Sequence, residues 1–238
     1  MASFAFTFSG SNSLSGSNSL LIKSRLRYNQ SQNKGIIVTY KATKAKVKNR
    51  GIPPDEFLDE LVEWGRNAPD EIFSQNYGKT YDIYLSVWDT LGPYETLLDR
   101  RAVMLEVLRV LAGFESSWKW TAGVDITNKR SLSHIASAEA GAWQVSADSM
   151  GWSHSLKTLV LRKIGSTGPA DFRRGMMHNH ELAMEYIARL LRFTTAANGP
   201  VKDHRIDDWL SREAVKEFKH LLQQIGDFPT SEELKQTG

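Results

Sequence analysis

Glu115 is the side chain best placed for acid chemistry. It closes the run Leu108-Arg109-Val110-Leu111-Ala112-Gly113-Phe114-Glu115 and is followed by Ser116, Ser117, Trp118, Lys119 and Trp120. Apolar surroundings disfavour an ionised carboxylate and raise its pKa. A helix C-terminus, which carries partial negative charge, acts in the same direction. A carboxyl that stays protonated near neutral pH can donate a proton to a leaving oxygen. The competing reading is a glutamate that closes a helix and turns into water.

A second segment of interest is Ala140-Gly141-Ala142-Trp143-Gln144-Val145-Ser146. Glu139 precedes it directly, and Asp125 lies earlier in the same connection. His134, His154, His178, His180, His204 and His220 show no metal-ligand spacing of the His-Glu-x-x-His kind. There is no glycine-rich phosphate loop and no Gly-x-Ser-x-Gly elbow. The residues call for no cofactor and no metal.

The elements that must position these groups read as helices. Pro53-Pro54-Asp55 suits a helix start, with Phe57, Leu58, Leu61 and Val62 on one face. A second helix is expected from about Tyr94 to Gly113, with Leu97, Leu98, Met104, Leu105, Leu108 and Leu111 turned inward. A third is expected over about Ser153 to Lys163, stopped by Gly165, and a fourth over about Asn179 to Phe193. The fifth runs from about Asp207 to Ile225, with Asp207 or Asp208 as cap. The stretch from Trp118 to Ser146 is irregular, a long connection of the kind that carries function. The expected fold is mainly α, with a small irregular or β-hairpin segment in that connection.

Residues 1–50 differ from the remainder. The hexapeptide Ser9-Gly10-Ser11-Asn12-Ser13-Leu14 is repeated at once as Ser15 to Leu20, and no acid occurs before Asp55. Nine of the 30 basic residues lie in this segment, which leaves 21 against 27 acids from Asp55 onward, a net of −6. The sequence pI of about 9.0 therefore belongs to the N-terminal segment, and whole-chain basicity is no argument for nucleic acid. The division expected is an extended basic segment over 1–50 and one domain over 51–238. The segment's composition fits a solvated extension, an organellar transit peptide or a docking strand, with Ile36-Ile37-Val38-Thr39-Tyr40 able to add to a partner's sheet. The absence of cysteine excludes a disulfide framework and a thiol nucleophile. No apolar run is long enough to cross a membrane.

Gly113 to Trp118 resembles the Glu-Ser signature at the catalytic acid of the goose-type lysozyme and lytic transglycosylase group. Gly141 to Ser146 resembles that group's Gly-Leu-Met-Gln-Val/Ile element, which lines a sugar cleft. Asn179 to Leu191 resembles its later helix, and the three occur in family order across roughly Ala102 to Val201. The resemblance implies the α-rich lysozyme-like fold and peptidoglycan glycan strands as substrate, cleaved at the bacterial cell envelope. A virion-associated entry or lysis enzyme, a bacterium's own remodelling enzyme and an exported antibacterial effector all fit. There are departures. Asp125 to Ala138 reads partly as an inserted loop. The family's Tyr-Asn-Ala-Gly element is blurred to Ala196-Ala197-Asn198-Gly199-Pro200. Ser146 stands where goose-type lysozymes carry aspartate.

On this reading Glu115 is the acid. A hydrolase needs a second carboxylate, with Glu139 the first choice and Asp125 the other. A transglycosylase needs only the one acid/base. Ser116 is the candidate to orient Glu115, and Gln144 the candidate donor to a sugar amide. Trp118, Trp120 and Trp143 are candidate sugar platforms, although aromatic residues are more often core. Tyr186 either reaches the cleft or fills the core. Two alternatives remain: a chitinase- or chitosanase-like glycosidase of the same fold, and a non-catalytic wall-binding or assembly component docked by its N-terminal segment.

Overall fold

The computed structural model describes residues 39–74, 82–123 and 134–224. Six helices longer than two turns carry the architecture: α1 Asp55–Asn67, α2 Leu97–Ser116, α3 His154–Ile164, α4 Pro169–His178, α5 His180–Phe193 and α6 Arg212–Gln223. Short 3-10 and single-turn helices join them. The fold is mainly helical, and the described residues contain no strand. Their one β feature is the antiparallel bridge between Ala140 and Val145. None of the described helices is long and apolar enough to cross a membrane.

The central element is α2, against which α1, α5 and α6 all pack. Every residue from Arg100 to Phe114 is buried, so the helix is enclosed on all sides rather than along the single face its leucines predict. It begins at Leu97, later than expected, because Thr96 and Asp99 form a reciprocal capping box. It ends later too, so Glu115 lies within its last turn.

A helix enclosed on all sides must place its polar side chains. Arg100 donates to the carbonyls of Phe73 at 2.6 Å and Ser74 at 2.9 Å. Arg101 holds the carbonyls of Gly65 and Ala68 and pairs with Asp70. Arg192 of α5 pairs with Asp82 and binds the carbonyls of Ile72 and Ser74. These guanidinium groups satisfy carbonyls that the turns after α1 would otherwise bury unpaired. Glu106 and Arg109, both fully enclosed, form a two-pronged pair at 2.7 Å. Glu106 also accepts from Ser211 N, at the α6 cap, and Arg109 donates to Ala45 O.

That last bond corrects the domain boundary. Residues 40–50 belong to the body and not to the extension, and the compact unit begins at Tyr40. The Tyr40 hydroxyl donates to Asp59 at 2.7 Å. Glu217 of α6 accepts from Lys41 N and Thr43 N, capping the turn Ala42–Lys44, and Val47 is fully buried. Of the run proposed as a docking strand, Ile36, Ile37 and Val38 lie outside the described residues, and Tyr40 is part of the core.

Other differences are local. The helix α4 has no counterpart among the expected elements; its large apolar residues are only Phe172, Met176 and Met177, with Pro169 at its start. Ser211 caps α6, not Asp207 or Asp208, since its hydroxyl accepts from Ala214 N at 3.3 Å. Gly165 terminates α3 at φ 73°, and Asn179 caps α5.

Candidate active site

The site forms where the end of α2 meets the connection that follows it. Ser117 and Trp118 both adopt left-handed backbone, which turns the chain sharply back. The Trp118 indole then lies along α2 and donates to Arg109 O at 2.8 Å. Only glycine fits beneath it: a Cβ on Gly113 would meet the ring at 2.5 Å. The Trp143 indole donates to the adjacent carbonyl, Leu108 O, at 2.9 Å. Two tryptophans thus pin the connection to consecutive carbonyls of α2.

Between them, Ala140 to Val145 close a tight turn through Ala140 N to Val145 O at 3.0 Å and Val145 N to Ala140 O at 3.2 Å. Gly141 has φ 77°, and a Cβ there would stand 2.6 Å from Met176 O at the end of α4. Gly141 N donates to Ala122 O at 2.8 Å. Gln144, also left-handed at φ 45°, spends its amide protons on Gly141 O at 2.9 Å and Ala122 O at 3.4 Å. The expected donor to a sugar amide is therefore already committed. Its Oε1 acceptor is the group left over.

Ser116 joins the two segments. Its hydroxyl lies 2.8 Å from Ala142 O and 3.1 Å from Ala112 O, and it accepts from Lys119 N. It fixes the position of the Gly141–Gln144 turn relative to the helix end and makes no hydrogen bond to Glu115. Its neighbouring place in the sequence suggests an orienting group for Glu115; its action is on the backbone.

Glu115 is half-buried. Its pKa is pushed up to about 7, first by burial and then by the negative charge of Glu139, against the opposing pull of Arg205 and Arg50. The Glu139 charge is thus close enough to act on Glu115. Asp125 lies outside the described residues.

Three sequence candidates turn out to be structural. Trp143 is 1% exposed with its N–H satisfied, so it offers no face to a ligand. Trp118 is 4% exposed. Tyr186 is fully buried, edge-on to Phe172, with its hydroxyl 2.7 Å from Ser149 Oγ. Ser149 in turn donates to Ser146 O at 2.6 Å. Tyr186 thus supports the turn that follows Gln144 rather than lining a cleft. Burial also raises its pKa far above the ordinary phenol value. Trp120 is half-exposed, but its ring stacks on His180 at 3.9 Å between centroids and 8° between planes. His180 is in turn paired with Glu60.

Lys48, Arg50 and Arg205 approach Phe114 and Glu115, and none of them is among the sequence candidates. Lys48 Nζ is 4.8 Å and the Arg205 guanidinium carbon 5.6 Å from the Phe114 ring centroid. The basic run Lys44 to Arg50 is a signal for two of them, but in the sequence it reads as part of the extension. A separate groove of about 400 Å³ lies between α1 and α5, lined by Glu60, Trp64, His180, Met184 and Glu185 among others, and Glu115 is not part of it. Among the described residues no group of three metal-ligating side chains comes together. Comparison with protein-family models, curated proteins and solved structures finds no match for this chain.

Proposed function

We propose that the chain is a peptidoglycan-degrading enzyme, a lytic transglycosylase or muramidase of lysozyme-like fold. It would cleave the β-1,4 bond between N-acetylmuramic acid and N-acetylglucosamine at the bacterial cell envelope. The observation that carries this reading is the Glu115 carboxyl, held protonated up to about pH 7 by burial and by Glu139 at the end of a central helix. A carboxyl in that state gives its proton to the glycosidic oxygen as the C–O bond breaks. As a carboxylate, Glu139 would stabilise the positive charge that develops on the anomeric carbon. In the hydrolytic form Glu139 takes a proton from the attacking water. In the transglycosylase form the ionised Glu115 takes the proton of the sugar's own C6 hydroxyl, which closes a 1,6-anhydro ring.

General acid catalysis contributes about 10²–10⁴-fold, so Glu115→Gln removes nearly all turnover. Mass spectrometry of muropeptides released from purified walls by the wild type and by Glu115→Gln tests this. Anhydro products identify the transglycosylase and reducing ends the hydrolase. Equal release by both proteins eliminates Glu115 as the acid. Binding to walls with no release by the wild type supports the wall-binding component instead. Release from chitin alone supports the chitinase-like relative.

A further inference from the structure

Two turns distant in sequence meet at Phe114 and Glu115. The first is closed by Arg50 N to Val47 O at 2.9 Å and Val47 N to Gly51 O at 3.1 Å, and it presents Lys48 and Arg50. The second is closed by Arg205 N to Pro200 O at 2.9 Å and His204 N to Val201 O at 3.1 Å, and it presents Arg205. Lys48 and Arg205 both approach the Phe114 ring, and the fields of Arg50 and Arg205 reach the Glu115 carboxyl. All three cations are exposed. Neither Lys48 nor Arg50 has a carboxylate partner among the described residues, and Arg205 has only the exposed Asp203 at 3.9 Å.

This contrasts with the arginines of the core. Arg100, Arg101, Arg109 and Arg192 are enclosed and spent on carbonyls and acids. Positive charge beside Glu115 also works against keeping it protonated, so tuning the acid does not account for these cations. They form a positive rim around a partly apolar floor, open to an anionic group on a ligand.

We infer that Lys48, Arg50 and Arg205 form a two-sided cationic collar that holds a carboxylate of the substrate beside the bond Glu115 protonates. This rests on the glycosidase reading and narrows its substrate class to acidic glycans. Peptidoglycan strands carry carboxylates on their stem peptides, and on the lactyl group once the peptide is removed. Neutral chitin has none, and chitosan carries the opposite charge.

The test uses the full chain with Glu115→Gln, so that binding is read without turnover. Its affinity is measured by fluorescence anisotropy for four labelled probes. These are soluble peptide-bearing strands, strands stripped of peptide, the same strands with carboxyls amidated, and a chitin oligosaccharide. The measurements are repeated with Lys48→Gln, Arg50→Gln and Arg205→Gln added together. The added substitutions are expected to weaken binding to carboxylated strands by about tenfold, from roughly two- to threefold per exposed charge. Binding to amidated strands and chitin should change less than twofold. Preference between the first two probes shows whether the stem peptide or the lactyl group is the anion. An equal loss on charged and amidated strands overturns the collar, as does no loss at all, or no binding of the parent protein to carboxylated strands. Unchanged melting of the variant excludes misfolding as the cause of a loss. The collar can fail while muropeptide release still depends on Glu115, so the two readings are separable.

Discussion

Glu115→Gln should stabilise the protein at alkaline pH while destroying its proposed activity. In the unfolded chain this carboxyl releases its proton near the ordinary 4.5, and in the folded protein near 7. Between those values the folded state binds more protons than the unfolded state, so stability falls as pH rises through the window. A difference of one in pKa between the two states corresponds to about 1.36 kcal/mol. The full window gives about 3 kcal/mol, reduced to about 2 kcal/mol because the half-buried carboxyl is partly screened by water. Glutamine carries no charge and avoids the cost. The two proteins should melt together at pH 4, with the variant higher by about 4–8 °C above pH 7, at about 2–4 °C per kcal/mol for a domain of this size. Thermal melts of both proteins from pH 4 to 8.5 provide the measurement. Parallel curves across that range would refute the raised pKa and, with it, the main support for Glu115 as a proton donor. The same titration sets the activity profile: muropeptide release by the wild type should decline as pH rises through about 7, when the acid loses its proton.

Glu139→Gln removes the second cause of the raised pKa, so the Glu115 titration read by NMR should move toward 4.5, and any alkaline limb of activity should move down with it; an unmoved titration would place Glu139 outside the site. Gly141→Ala meets both a positive φ and the Met176 carbonyl, at a cost of about 2 kcal/mol or more, and calorimetry showing wild-type stability would contradict that packing. Glu106→Gln leaves the Arg109 guanidinium without its buried counter-charge, and a loss of about 3–5 kcal/mol is expected by denaturant unfolding. A chain starting at residue 51 lacks Tyr40, Thr43 and Val47 of the body and should melt roughly 10 °C below one starting at residue 40.

Helix placement was largely legible because apolar spacing and end signals agree, as in α1, α3 and α5. Where they disagree the sequence misleads. Asp207 and Asp208 look like caps for α6, yet Ser211 does the capping. The helix α4 has too few apolar residues to announce itself. The site was legible at Glu115, where one acid stands against aromatic and apolar neighbours. It was not legible in Trp143 and Tyr186, whose types suit a sugar platform and a packed core equally well. Burial decided them, and burial depends on α2 being enclosed on every side. That enclosure is invisible in a sequence carrying Arg100, Arg101, Glu106 and Arg109 along the helix, because charged residues ordinarily mark a solvent face. Here each is neutralised by carbonyls or by its neighbour.

These burial assignments change what the site can be. A cleft lined with tryptophan and tyrosine would bind sugar chiefly by stacking. The described residues instead commit Trp118, Trp143, Ser116 and the Gln144 amide protons to holding the helix end and the Gly141–Gln144 turn in register. What these residues leave for a ligand is Glu115, the Gln144 acceptor and three exposed cations. Recognition at such a site is mainly electrostatic, and electrostatic contacts between exposed groups weaken with salt. Glycan binding by the Glu115→Gln protein should therefore fall steadily between about 50 and 500 mM salt, as the screening length contracts from about 14 to about 4 Å. A salt-insensitive affinity would restore aromatic stacking as the main source of binding and place the binding surface away from Glu115.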